Sequence, residues 1–154
     1  MSQSYLICGF LGAGKTTFSK KLVLETGAQY FNIDECVVKL FSKSEYENNW
    51  EQCFEAATNA IWNKIKSCAK NGQHAILDAG FWSHAERDDA RKHASETRMS
   101  PVLYYVYAPD EILKQRISQR HGKIAQNNIK NFDKTKNLFE VPDASENFIL
   151  INNF

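Results

Sequence analysis

Three observations predict an α/β domain built on a mainly parallel sheet. Short apolar runs alternate with segments of helical length along the chain, as in folds whose parallel strands are buried on both faces. Gly9-Phe10-Leu11-Gly12-Ala13-Gly14-Lys15-Thr16 fits G-x-x-x-x-G-K-[ST] without a mismatch and stands between an apolar run and a helical segment. That is the context a phosphate-binding loop requires. Two acids, Asp34 and Asp78, each follow an apolar run, at the strand carboxyl ends beyond which open α/β sheets bind ligands.

The elements follow in order. Tyr5-Leu6-Ile7-Cys8 reads as the first strand, and Thr16 to Glu25 as a helix stopped by Gly27. Ala28 to Ile33 reads as the second strand, ending in Asp34-Glu35, with a short helix through Leu40-Phe41. Ser42 to Asn49 is polar and reads as a loop. Trp50, Phe54, Ala57, Ile61, Ile65 and Cys68 recur at steps of four and three, one face of a long helix that Asn71-Gly72 ends. His74 to Leu77 is the third strand, with Asp78 at its end. Ser83 and Glu86 have capping-box spacing, so a helix starts there and runs to about Met99. Pro101 breaks the chain, and Val102 to Tyr107 is the fourth strand. Pro109-Asp110-Glu111 suits a helix start; that helix carries Leu113, Arg116, Ile117 and Arg120 to His121-Gly122. Lys123 to Asn131 is polar and reads as a mobile lid, Asn131 to Leu138 as helical, and Phe148 to Ile151 as the closing strand.

A chain of 154 residues is expected to form one domain, residues 1–154. Nineteen Lys+Arg against eighteen Asp+Glu leave it nearly neutral, so a nucleic-acid partner is not favoured. Cys8, Cys36, Cys53 and Cys68 show no metal-like spacing, nor do His74, His84, His93 and His121. Free buried thiols, no leader and no apolar stretch of membrane-spanning length lead to the expectation of a cytoplasmic protein without a membrane partner.

The loop carries the first chemical assignment. Its glycines let successive N–H groups point at a phosphate, and the helix after it adds its positive end. Gly9, Gly12, Ala13, Gly14, Lys15, Thr16 and Thr17 are the expected nucleotide-binding set. Lys15 reaches the β- and γ-phosphates, and the Thr16 hydroxyl binds Mg²⁺. Asp34 is the expected general base toward an attacking hydroxyl, although aspartate at that point also suits a helix N-cap. Asp78 serves the magnesium shell or the substrate. Arg116 and Arg120, four apart on an expected helix face, are lid residues that neutralise charge in transfer, with Arg120 also touching the nucleotide. Arg87 and Arg91 form a basic stripe, read as a solvated face or an anion contact.

Taken together, these segments resemble the small AAA-type P-loop kinases, the group around polynucleotide kinase, zeta toxins and chloramphenicol phosphotransferase. The loop, Asp34 after the second strand, Ile76-Leu77-Asp78-Ala79, Ala108-Pro109-Asp110-Glu111 with Arg116 to Arg120, and Phe139 to Glu146 each resemble a family segment in the same order. The resemblance implies a five-stranded parallel sheet in the order 2-3-1-4-5 flanked by helices, with a small lid. It also implies ATP as the nucleotide. Two departures stand against a polynucleotide acceptor. Cys36-Val37-Val38 is apolar where that group often has arginine, and Ala79-Gly80 replaces polar residues.

The expected activity is ATP- and Mg²⁺-dependent phosphoryl transfer to a hydroxyl of a small molecule, a nucleotide sugar or a nucleic-acid end. The alternatives are a nucleotide-dependent ATPase or switch without an acceptor, and a polynucleotide 5′-hydroxyl kinase.

Overall fold

The computed structural model describes residues 1–120 and 122–154; the expectations placed on His121 and on the Lys123 side chain fall outside the described residues. Five parallel strands form one sheet in the order β2-β3-β1-β4-β5. They are β1 (Gln3–Cys8), β2 (Gln29–Asn32), β3 (Ala75–Gly80), β4 (Ser100–Tyr107) and β5 (Phe148–Asn152). The central strand β1 is flanked by β3 and β4, with Leu6 opposite Leu77 on one side and Leu103 on the other. Leu6, Ile7 and Cys8 are fully buried. Each large aliphatic side chain so buried contributes roughly 1.5–3 kcal/mol.

The helices are α1 (Lys15–Thr26), α2 (Ile33–Leu40), α3 (Lys43–Asn48), α4 (Trp50–Lys70), α5 (His84–Glu96), α6 (Asp110–Ser118), α7 (Lys123–Lys130) and α8 (Phe132–Lys136). Gly27 ends α1 in a left-handed conformation, its N–H donating to Val23 O at 2.8 Å. Ser83 and Glu86 form the expected capping box of α5. The inward face of α4 buries Ala57, Ile61, Ile65 and Cys68, as its spacing predicts, but Trp50 at its start is exposed and Phe54 only half-buried. Among the described residues, no helix is long and apolar enough to cross a membrane.

The structure corrects four local expectations. Ser42 to Asn49 is not a loop: Ser42 and Glu45 close a second capping box that opens α3. Pro101 lies inside β4 rather than before it. There β4 pairs with β1 alone, because β5 joins only at Leu103, so the missing N–H costs no ladder bond on that side. The polar segment from Lys123 to Asn131 is helical, as α7, which packs on α6, while α8 falls inside the helix expected from Asn131 to Leu138. Finally, α6 stops at Ser118, so Arg116 and Arg120 do not share a helix face.

One irregularity lies next to the candidate site. Ile7 pairs with Asp78 but Cys8 with Gly80, so Ala79 is an extra residue on β3. Such bulges bend a strand and re-aim its side chains. Beyond it, Phe81 adopts φ 51, a costly conformation for an aromatic residue. Its carbonyl is held from two sides, accepting from Arg87 Nη1 at 2.9 Å and from Cys8 Sγ at 3.3 Å. Surrounding structure of this kind is what lets strained backbone persist.

Candidate active site

The phosphate loop runs from the end of β1 into α1. A Cβ on Gly9 would lie 2.8 Å from the backbone oxygen of Val106, closer than a side chain tolerates, so only glycine lets the loop leave the sheet here. Gly14 caps α1 at φ 94 and brings no side-chain acceptor to the helix N-terminus. The first N–H groups of α1 are left for a ligand, beside the positive end of the helix dipole. Lys15 Nζ folds back over the loop and donates to Phe10 O at 3.2 Å. Burial pulls its pKa down, while the carboxylates of Asp78 and Asp34 oppose the shift and the charge of Arg120 adds to it.

Asp78, expected at the end of the third strand, lies within β3, which runs two residues further to Gly80, and is 3% exposed. Its Oδ2 accepts from Thr16 Oγ1 at 3.2 Å, Tyr30 hydroxyl at 2.8 Å and Asn32 Nδ2 at 3.3 Å. Tyr30 and Asn32 escaped the sequence reading. Their signal is two polar groups at alternate positions of β2, hence on one face, with Asn32 opposite Asp78 in register. Burial, more than the neighbouring Asp78 carboxylate, pushes the Tyr30 phenol up to about 12, so it stays protonated and donates. Thr16 and Asp78 offer hard oxygen donors. That suits Mg²⁺, which is held through one or two carboxylates plus substrate phosphates rather than an all-protein cage. Accordingly, no group of three His, Cys, Asp or Glu able to hold a metal occurs among the described residues.

Asp34 lies in the first turn of α2 but does not cap it. Asn32 does, its side-chain oxygen accepting from Glu35 N at 3.0 Å. The carboxyl of Asp34 instead lines a cleft of about 530 Å³ that also contains Lys15 and Asp78. Burial raises the Asp34 pKa, Lys15 works against that rise, and Asp78 adds to it. The alternative of Asp34 as a helix cap is thereby removed, and three of the expected residues open on one cavity.

The two arginines separate. Arg116, in the last turn of α6, donates through Nη1 to Gly12 O at 3.1 Å and Ala13 O at 3.3 Å, and through Nη2 to Asn153 O. Asn153 Nδ2 in turn donates to Ala13 O at 2.7 Å and lies against Gly14. The guanidinium therefore grips the outer carbonyls of the phosphate loop, with the residue just after β5. Arg120 lies beyond α6, exposed, within electrostatic reach of Lys15. Thr17 is exposed on the first turn of α1.

Other residues hold the far wall. Arg87 is 1% exposed, neither a solvated stripe nor a cleft cation. Its Nε and Nη2 donate to Glu146 at 2.7 and 2.9 Å, and Arg91 Nη2 joins the same carboxylate at 2.7 Å. Burial alone would raise the Glu146 pKa, but these hydrogen bonds win and hold it at about 2. Glu140 N donates to Trp82 O at 2.8 Å. The segment from Phe139 to Glu146 is thus tied to α5 and to the Phe81-Trp82 turn. Trp82 lines the cleft. Val37 is fully buried in the core and does not line it.

Residues 5–142 match the family model described as AAA domain. Over 147 residues the chain is 28% identical to the L-seryl-tRNA(Sec) kinase of Methanococcus maripaludis, covering 91% of this chain and 57% of that protein. The chain therefore spans little more than half the length of this curated relative. Among solved structures, a sugar kinase from a Janibacter species aligns with TM-score 0.72 at 16% identity, covering 99% of this chain and 86% of the other. A gluconokinase from Sinorhizobium meliloti aligns at 0.71 and 13%, covering 97% and 82%. Kti12 from Chaetomium thermophilum, solved in complex with ADP-AlF3, aligns at 0.70 and 17%, covering 97% and 88%. The fold is that of P-loop kinases.

Proposed function

The chain belongs to the AAA domain family, and from that premise we propose that it is an ATP- and Mg²⁺-dependent phosphotransferase acting on a hydroxyl. The observation that carries this reading is the meeting of Lys15, Asp34 and Asp78 in one cleft.

Each residue then has a part. The N–H groups of the loop and of the α1 N-terminus hold the phosphates. Lys15 leaves Phe10 O to follow the γ-phosphate into transfer. Thr16 and Asp78 would hold Mg²⁺, which would supply charge neutralisation at the phosphates. Tyr30 and Asn32 orient the Asp78 carboxylate. Asp34 takes the proton of the acceptor hydroxyl. Arg120 supplies positive charge from the far side, and Arg116 keeps the loop carbonyls turned outward. Among relatives, the Methanococcus protein is named for a seryl-tRNA and two solved neighbours for sugars. All three names imply a hydroxyl-bearing acceptor.

Incubation of the protein with γ-labelled ATP and a small-molecule extract tests the proposal. Label should pass to an organic acceptor in the parent protein and not in Asp34→Asn. Release of inorganic phosphate alone, equal in both proteins, would replace the kinase by the ATPase reading.

A further inference from the structure

The acceptor half of the cleft has a chemistry of its own. Asp34, Glu51 and Glu86 line it together with Trp50, Phe54 and Trp82. Lys15, the one cation lining the cleft among the described residues, belongs to the phosphate half. A separate chamber of about 110 Å³ adjoins it, sharing Phe54, Ala79 and Glu86 as lining and adding Trp62 and Asp89. The nearest arginines of α5, Arg87 and Arg91, are engaged by Glu146. Among the described residues, neither Asp34 nor Glu51 has an ion-pair partner within 4.0 Å.

Aromatic faces and carboxylates whose one cation, Lys15, serves the phosphate half form a poor site for an anion. A phosphate or carboxylate on the acceptor would lose its water, meet like charge and find no guanidinium to pair with. The same walls suit an organic cation. Indole and phenyl faces attract ammonium groups through their quadrupoles, and Glu51 and Glu86 supply the opposite charge. A purely neutral acceptor would use the aromatic walls but leave the charge of Glu51 unpaired, whereas Glu86 already closes the α5 capping box through Ser83 N.

We propose that the acceptor is a small amino alcohol, its ammonium held among Trp50, Phe54, Trp82, Glu51 and Glu86 while its hydroxyl reaches Asp34. This rests on the kinase reading of the cleft. In transfer, the acceptor oxygen bonds the γ-phosphorus and its proton passes to Asp34. The bond from the γ-phosphorus to the β–γ bridging oxygen breaks, and ADP leaves with that electron pair. The product carries both the ammonium and the new phosphate.

The test uses choline and its uncharged carbon isostere, 3,3-dimethyl-1-butanol, as probes in the absence of nucleotide. The indole N–H resonances of Trp50 and Trp82 are assigned with Trp50→Phe and Trp82→Phe and followed by NMR. Choline should saturate their shifts at a concentration about tenfold or more below the isostere, as a cation–π site with opposite charge requires. Glu51→Gln with Glu86→Gln should erase that difference. An isostere that binds as well as choline overturns the proposal, as does choline that moves neither indole. Calorimetry of Mg²⁺-ATP on the parent and on Lys15→Ala is run beside it. A failed kinase reading shows there, as nucleotide binding that ignores Lys15, whatever the indoles report.

Discussion

Thr16 Oγ1 donates to Asp78 Oδ2 at 3.2 Å, joining the start of α1, which follows the central strand, to the neighbouring strand β3. The hydroxyl and the carboxylate face each other where a divalent cation would be shared. Asp78→Asn keeps the shape and removes the charge. It should weaken Mg²⁺-dependent ATP binding by about 10–100-fold, the cost typical of losing a group that orients a metal's ligands. ATP binding measured in EDTA should change little. Equal loss with and without magnesium would make Asp78 a purely structural acid.

Lys15→Ala should abolish turnover and weaken Mg²⁺-ATP binding in calorimetry, because it removes the cation that follows the γ-phosphate. Parent-like affinity and turnover would end the phosphate-loop assignment.

Asp34→Asn should leave ATP affinity nearly unchanged and lower transfer by roughly 10²–10⁴, the range for a positioned base. Burial raises this group's folded pKa above its ordinary 3.8. Ionised Asp34 therefore costs stability above the raised pKa, and the cost disappears once pH falls below the unfolded value. The asparagine variant should melt higher than the parent at neutral pH, with the gain gone in acid. A lower melting temperature at pH 7 would contradict the shift.

Arg116 and Arg120 should separate by readout. Arg116→Ala removes donors from Gly12 O and Ala13 O and should lower both thermal stability and ATP affinity. Arg120→Ala should leave stability within about 0.5 kcal/mol, as for other exposed sites, and slow single-turnover transfer. An arginine placed on the transferring phosphate can be worth about 10³–10⁵ in rate. Lysine should rescue poorly at 116, where one guanidinium donates to three carbonyls. Indistinguishable variants would dissolve the division of labour.

Glu146→Gln leaves the Arg87 guanidinium buried without its counter-charge, which should cost about 3–5 kcal/mol in denaturant unfolding. The folded pKa of Glu146 lies at about 2 against an ordinary 4.5. The stability it contributes is complete above 4.5 and is lost as pH falls toward 2. The parent should lose stability over that window more steeply than the glutamine variant.

Local chemistry was legible in the sequence and tertiary partnership was not. The phosphate loop, the α4 face and the Ser83–Glu86 capping box are each written within a few turns of chain. The Ser42–Glu45 box was equally local, but Lys43 to Asn48 has no apolar period to draw attention to it. The i, i+4 spacing of Arg116 and Arg120 assumed a helix that stops at Ser118. The carbonyls Arg116 holds are 37 to 104 residues away. Tyr30 reads as an ordinary strand tyrosine until its phenol is seen on Asp78. Arg87 reads as a surface charge until Glu146, 59 residues on, is seen to bury it.

The grip of Asn153 on Ala13 O sets a timetable for synthesis. The loop motif leaves the ribosome before α6 and the residue that follows β5 are made, yet among the described residues these supply the side-chain donors to its outer carbonyls. A nascent chain halted before β5 carries the whole motif and lacks part of its brace. Nucleotide should therefore reward completion of the fold rather than guide its early steps, and ribosome-stalled chains lengthened past residue 153 should show an abrupt gain in ATP retention.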